Sequence, residues 1–295
     1  MGFPADVGII DTMVTLPKAD RRAVYRFLEP HLRDRESREE FSFPAEYMFK
    51  DLPPEVEDNV DTVAVVLDNM DRFGVERAMI GVRKEREDAI RALKEHPDRF
   101  FASVELDPHG GMETLRYMEE MVETFDVRAF TTFPAGHQVP INDKRYYPIY
   151  AKCIELARPI FVCAGVPGPR VPMDPQRVEL IDEVCWYFPE LVFVTRHGCE
   201  PWTELAVKLM LKWPNLYYST SAFAPKHYPA DIVHYANTRG ADKILYAGYF
   251  AAGLTYERIW DQMPDVGFRD EVWPKFLRDN AVRVLGLDGD AEPTD

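Results

Sequence analysis

Four side chains able to do chemistry stand at or just past the ends of short apolar segments: Asp11, Glu105, His197 and Tyr249. Ionisable groups gathered at one end of a buried framework are costly unless they pair or bind something, so function is sought here first. Two chemistries fit the set. Without a metal, His197 serves as general base, Asp11 or Glu105 orients it, and Tyr249 supplies an acid or an oxyanion donor. With a metal, Asp11, Glu105 and His197 form an oxygen-rich shell with one imidazole. Of iron, manganese and zinc, that shell suits the first two better than a structural zinc. The ion would lower the pKa of a bound water and polarise a carbonyl. Each residue taken alone also fits a hydrogen-bonded structural role.

Around this set lie candidates for holding a substrate. Arg170, in Gly168-Pro169-Arg170, is placed to grip a carboxylate or phosphate with both arms of its guanidinium, or to make a surface ion pair. Tyr47 and Lys50 sit in a long segment able to close over a ligand, although a loop lysine is usually solvated. His109, His137 and Glu200 read as loop or capping residues. Cys163 has apolar neighbours that raise a thiol pKa, which makes it core lining rather than a nucleophile. Phe41, Phe43, Phe49, Phe223 and Phe250 suit either a pocket wall or the core.

The elements that must position these residues recur along the chain. Strand candidates are Val7–Asp11, Arg77–Val82, Phe100–Glu105, Val127–Thr132, Pro159–Ala164, Leu191–Arg196, Asn215–Ser221 and Lys243–Tyr249. Runs such as Ile160-Phe161-Val162 suit strands covered on both faces, as in a parallel sheet. Between them, Asn59–Phe73, Met112–Phe125, Lys144–Leu156, Pro175–Trp186, Thr203–Trp213 and Ala230–Thr238 carry helical periodicity, with Asp143 and Asp174 as expected N-caps. Steps of roughly 23 to 32 residues between strands are the length of a βα unit. Eight units without a glycine-rich nucleotide loop favour a closed (β/α)8 TIM barrel over an open sheet, and exclude a nucleotide cofactor. One domain over 1–295 is expected, with 16–56 as an insertion after the first strand. That insertion would lie over the C-terminal face, as a lid, a substrate wall or a plain cover.

A formal charge of −15 argues against nucleic-acid or membrane-surface partners, because polyanions would be repelled. No secretory pattern opens the chain and no stretch approaches a membrane span, so a cytoplasmic protein with a small-molecule substrate is expected. The four cysteines form no C-x-x-C pair and read as reduced thiols.

Several stretches together resemble the amidohydrolase-related family over nearly the whole chain. They are Ile9-Ile10-Asp11-Thr12-Met13, Phe161 to Arg170, Thr195-Arg196-His197-Gly198 with Pro201-Trp202, Pro214 to Ser221, Lys243 to Phe250 with Gly253-Leu254 and Tyr256-Glu257-Arg258, and Asn280 to Leu287. The resemblance implies a barrel that activates water on a metal, and relatives that decarboxylate aromatic acids; homodimers are common among them. Yet the two first-strand histidine ligands of the family correspond to Met13 and Thr15. The fifth-strand histidine corresponds to Cys163 or Ala164, and the eighth-strand aspartate to Tyr249. Only the sixth-strand histidine remains, as His197. The expected activity is therefore hydrolysis of an ester, thioester (such as an acyl-CoA) or amide on a rebuilt centre. Decarboxylation or hydration of an aromatic or cyclic acid, and a barrel that only binds a ligand, stand as alternatives.

Overall fold

A computed structural model describes residues 7–18, 20–39, 43, 45–49 and 51–290. Eight parallel strands stand in sequence order: β1 (Ile9–Val14), β2 (Val75–Gly81), β3 (Phe100–Glu105), β4 (Val127–Thr132), β5 (Ile160–Cys163), β6 (Phe193–Arg196), β7 (Leu216–Ser219) and β8 (Ile244–Leu245). The sheet curls until β8 meets β1. There the Thr12 N–H and hydroxyl both donate to the Tyr246 carbonyl, at 3.2 and 2.7 Å, and the Thr15 N–H donates to the Phe250 carbonyl at 2.6 Å. Helices fill the connections, giving the expected (β/α)8 TIM barrel. β8 is much shorter than Lys243–Tyr249 because beyond Leu245 its N–H groups leave the ladder: Gly248 donates to Asp11 Oδ1 at 2.8 Å and Ala247 to the Thr220 hydroxyl at 3.3 Å.

Alternation along the strands fixes which side chains face inward. Ile10, Met79, Phe101, Ala129, Phe161, Val194 and Leu245 form one buried layer across the barrel, closed from below by Ala281, Val284 and Leu285 of the last helix, Asn280–Leu285. Their neighbours Ile9, Ala78, Phe100, Phe130, Ile160 and Phe193 belong to the outer core packed under the helices. Two residues beyond an inward residue the next one also points inward, so Glu105, Thr131, Cys163 and Arg196 crown the layer.

The helix Thr62–Phe73 shows how local chemistry sets an element. Asp61 caps it, accepting from the Val63 and Ala64 N–H groups at 3.1 Å each; Val63, Val66 and Met70 form its buried face; Gly74, at φ +71°, ends it. The two expected caps, Asp143 and Asp174, are not caps. Asp143 is taken by the Arg145 N–H and guanidinium, and the helix there starts at Tyr147 without a side-chain cap. Asp174 opens only a 3-10 turn, after which Arg177 is extended and the helix begins at Leu180. Helices at Glu87–Glu95 and Tyr256–Gln262 were not anticipated. All four cysteines are free and buried. Among the described residues no helix is long and apolar enough to cross a membrane.

Candidate functional site

At the C-terminal mouth of the barrel lies a cavity of about 530 Å³. Its floor carries a connected set of inward side chains. The Glu105 carboxylate accepts from the Thr131 hydroxyl at 2.5 Å and stands 3.6 Å from the Arg196 guanidinium. Arg196 also donates from Nε to the Cys163 sulfur at 3.2 Å. Burial opposes the Arg196 charge, but the Cys163 sulfur and the Glu105 carboxylate outweigh it and hold the guanidinium above its ordinary value. The Cys163 thiol is pushed up by burial, a shift that the nearby Arg196 only partly offsets, so it stays protonated.

His197 follows β6 and lines the same cavity. Its backbone N–H donates to the Ser221 hydroxyl oxygen at 3.1 Å, and that oxygen also lies 3.1 Å from Nδ1. Where the Ser221 hydroxyl donates to Nδ1, Nε2 carries the ring's N–H and faces outward as a donor. Burial and the Arg196 charge press the imidazole down to about 3, so it is neutral and a hydrogen-bond donor at physiological pH. Tyr249 packs edge-on against it, ring centroids 5.3 Å apart, and burial holds its phenol well above the ordinary value.

The backbone around these groups is strained. His197, Gly198 and Cys199 in succession adopt positive φ, at +67°, +95° and +60°, as do Ala222 after β7 (+72°) and Tyr249 after β8 (+58°). Non-glycine residues held left-handed cost free energy and cluster where a site needs a particular side-chain aim. Here they gather at the ends of three consecutive strands.

Asp11 is not part of the cavity wall. It is fully buried, one residue past the inward Ile10, and therefore faces out of the barrel. Oδ1 accepts from the Met13 and Gly248 N–H groups at 2.9 and 2.8 Å, and Oδ2 from the Tyr256 hydroxyl at 2.9 Å. Burial lifts its carboxyl to about 7, opposed by those three hydrogen bonds. Its observed work is to tie β1 to the segment after β8. Accordingly Asp11, Glu105 and His197 do not converge on one point. Among the described residues no three or more His, Cys, Asp and Glu side chains are spaced to hold a metal ion. The expected iron, manganese or zinc shell does not fit the residues present: Met13 and Thr15 line the cavity instead of histidines, and a fixed guanidinium stands beside Glu105.

The substrate-holding candidates fare unevenly. Arg170 is off the cavity wall, its Nη1 2.8 Å from both Asp34 and Glu36 and its guanidinium over the Tyr47 ring at 4.6 Å. Tyr47 is exposed and donates to the Gly168 carbonyl at 2.7 Å. Both fasten the insertion to the loop after β5. Lys50 and Phe41 lie outside the described residues. From the insertion, Tyr25, Phe43 and Phe49 do line the cavity, and Phe49 stacks on Tyr249 at 6.1 Å. His109 and His137 pack on each other away from the cavity, with His137 Nδ1 3.5 Å from Asp107. Arg196 and Arg258 are cavity residues that the sequence reading did not single out. Strand parity would have found the first, since Arg196 follows the inward Val194 by two.

The family model described as "Amidohydrolase" matches residues 16–287, and the chain belongs to this family. An uncharacterised TIM-barrel protein from Bordetella bronchiseptica is similar in structure at 22% identity, with a TM-score of 0.75 over 96% of this chain and 100% of that one. The 5-carboxyvanillate decarboxylase of Novosphingobium aromaticivorans, solved with manganese and 4-hydroxy-3-methoxy-5-nitrobenzoic acid, is 13% identical, with a TM-score of 0.67 over 97% and 98%. A "probable 2-pyrone-4,6-dicarboxylic acid hydrolase" of Acinetobacter baumannii, solved with citric acid, is 11% identical, with a TM-score of 0.63 over 95% and 99%. No curated protein matches the chain significantly.

Proposed function

We propose that this protein is an enzyme that hydrolyses a carbonyl-centred bond, an ester or lactone, in a small ring-sized organic acid derivative. The cavity volume falls in the range of small-molecule sites. The insertion's aromatic side chains form its cover and help exclude water. Glu105 takes a proton from the attacking water, with the Arg196 guanidinium 3.6 Å away on the same cavity floor. As water oxygen bonds to the carbonyl carbon, the carbonyl electron pair moves onto oxygen. The neutral His197 Nε2–H and the Arg196 guanidinium donate to that developing oxyanion. Collapse expels the alkoxide, which recovers the proton from Glu105. The observation carrying this reading is one cavity floor holding Glu105, Arg196 and a neutral His197, with Arg196 3.6 Å from Glu105.

A second reading, decarboxylation of an aromatic acid, is favoured by the aromatic wall of Phe43, Phe49, Phe223 and Tyr249. The fold it shares with decarboxylases supports the same reading. In it the carbon–carboxylate electron pair returns to the ring carbon, which takes up a proton as carbon dioxide leaves.

A panel of aryl esters, lactones, acyl-CoA thioesters, amides and hydroxybenzoates, read by acid release and by carbon dioxide, separates the two. Hydrolysis should be lost by about 100-fold or more in Glu105→Gln, a typical general-base effect, with the fold intact. The rate profile should show no histidine step near pH 6.5, because His197 titrates near 3. Carbon dioxide release alone would replace the first reading with the second. Stabilisation by a ligand with no turnover of any panel member would reduce the protein to a binding barrel.

A further inference from the structure

Two phenols line the cavity without a part in the chemistry described so far. Tyr25 belongs to the insertion, and Tyr249 to the segment after β8. A tyrosine this deep ordinarily gives its hydroxyl a partner. Neither of these hydroxyls makes a hydrogen bond among the described residues, and neither is sealed from the cavity. Their placement is fixed all the same. The Tyr25 N–H donates to the Arg22 carbonyl at 3.0 Å, and its own carbonyl accepts from the Leu28 N–H at 2.9 Å. Its ring meets Phe43 edge-on at 5.4 Å, and Phe43 meets Tyr249 at 6.4 Å. The Tyr249 carbonyl accepts from the Ala252 and Gly253 N–H groups at 3.1 and 3.2 Å. Glycine at 253 makes room for the Tyr249 ring, because a Cβ there would stand 2.8 Å from it. Burial raises the Tyr25 phenol to about 12, against the charges of Arg21 and Arg196. Burial and the facing Tyr25 phenol hold Tyr249 well above its ordinary value. Both are therefore donors at neutral pH.

We propose that Tyr25 is a catalytic acid supplied by the insertion, giving its proton to the leaving oxygen while the Tyr249 hydroxyl donates a hydrogen bond to the same atom. This rests on the hydrolytic reading and completes it. Arg196 and His197 serve the carbonyl oxygen, and Glu105, held by the Thr131 hydroxyl at 2.5 Å, serves the attacking water. The leaving oxygen is the reacting atom that those three do not meet, and the two open phenols are the donors left for it. As the carbon–oxygen bond breaks, its electron pair moves onto the leaving oxygen, which takes the Tyr25 proton. The phenolate then regains a proton from Glu105, the one taken from water, so Glu105 returns its proton by way of Tyr25. No co-reactant is needed. An alkoxide is more basic than a phenolate, so the transfer runs downhill; a nitrophenolate or thiolate is less basic and gains little from it. The substrate class narrows accordingly to esters and lactones with an alkyl-type leaving oxygen, rather than activated thioesters.

Tyr25→Phe keeps the ring against Phe43 and removes only the hydroxyl, so a melt should match wild type. With the methyl and 4-nitrophenyl esters of benzoic acid, the variant should lose about 100-fold or more in kcat on the methyl ester, and only a few-fold on the nitrophenyl ester. KM should change little on either. A structural role would slow both esters alike, and that result overturns the proposal, as does a variant that spares both. A second measurement needs no turnover. At pH 9, wild type should bind 4-nitrophenolate, which stands in for the departing oxygen, more tightly than the neutral nitrobenzene. Tyr25→Phe and Tyr249→Phe should each weaken phenolate binding by about tenfold and leave nitrobenzene unchanged. Arg83, an exposed guanidinium on the cavity wall, is another cation able to attract the phenolate. Arg83→Gln should therefore leave the Tyr25→Phe effect at its full size, and a phenolate preference lost in Arg83→Gln but kept in Tyr25→Phe overturns the donor pair. If wild type cleaves no ester, the acid role falls with the hydrolytic reading, whereas the donor pair stands or falls on phenolate binding.

Discussion

Replacing Asp11 with asparagine separates a structural carboxylate from a catalytic one. In the folded protein its carboxyl is lifted from 3.8 to about 7 by burial. Between about pH 4 and pH 7 the folded state therefore holds a proton that the unfolded state has released, and this group's contribution to stability falls as pH rises. At about 1.4 kcal/mol per pH unit, ionised Asp11 costs about 4 kcal/mol above pH 7 and almost nothing below pH 4. Asparagine carries no such charge. Its amide oxygen can accept from Met13 and Gly248, and its NH2 can face the Tyr256 hydroxyl, which turns round to accept. Integrating the same titration, the stability of Asp11→Asn relative to wild type should gain about 2–3 kcal/mol between pH 5 and pH 8. Asp11→Ala, which leaves two buried N–H groups without an acceptor, should be less stable than Asp11→Asn by about 1–3 kcal/mol for each at either pH. Urea unfolding of the three proteins at pH 5, 6.5 and 8 gives these differences, and turnover at pH 8 is measured in parallel. Activity of the asparagine variant should stay within a few-fold of wild type. A pH-independent difference between the two proteins, or an asparagine variant that folds normally but is inert, would refute the structural assignment.

Two further outcomes follow from the geometry of the mouth. Gly198→Ala places a Cβ at φ +95° against the ring of Phe223. It should cost about 1–3 kcal/mol of stability from the backbone alone and shift substrate affinity as that ring is pushed into the cavity, both visible in a melt and a KM measurement. Arg170→Ala removes the two ion pairs to Asp34 and Glu36. Because these are solvent-exposed, the melting temperature should hardly move, whereas limited proteolysis within residues 20–49 should quicken; unchanged cleavage would mean that the insertion is held by other contacts.

The barrel was legible in the chain because its signal is local and repeated. Apolar β-branched runs recur at the length of a βα unit, and β3 and β4 lie where those runs lie. The short β8 was not legible, because its end is set by Asp11 and Thr220, distant in sequence, which capture the N–H groups of Gly248 and Ala247. Likewise the composition of the site was visible while its convergence was not. Glu105 and His197 were named from their positions at strand ends, and both line the cavity. Asp11 shares that position in the sequence, but the inward Ile10 turns it to the outside, where Tyr256 meets it. Arg196 is inward by the same alternation, and was overlooked beside the more conspicuous histidine. Alternation along a strand is a property of sequence, so both could have been read from it once one inward residue was known. Which phase of that alternation faces the barrel axis is decided only when the strands close, because closure determines which face is buried against its own kind. The same holds for the Nη1 of Arg258, buried without a hydrogen-bond partner. A partner is present or missing only in three dimensions, where Glu257, next to Arg258 in the chain, pairs with Arg72 instead.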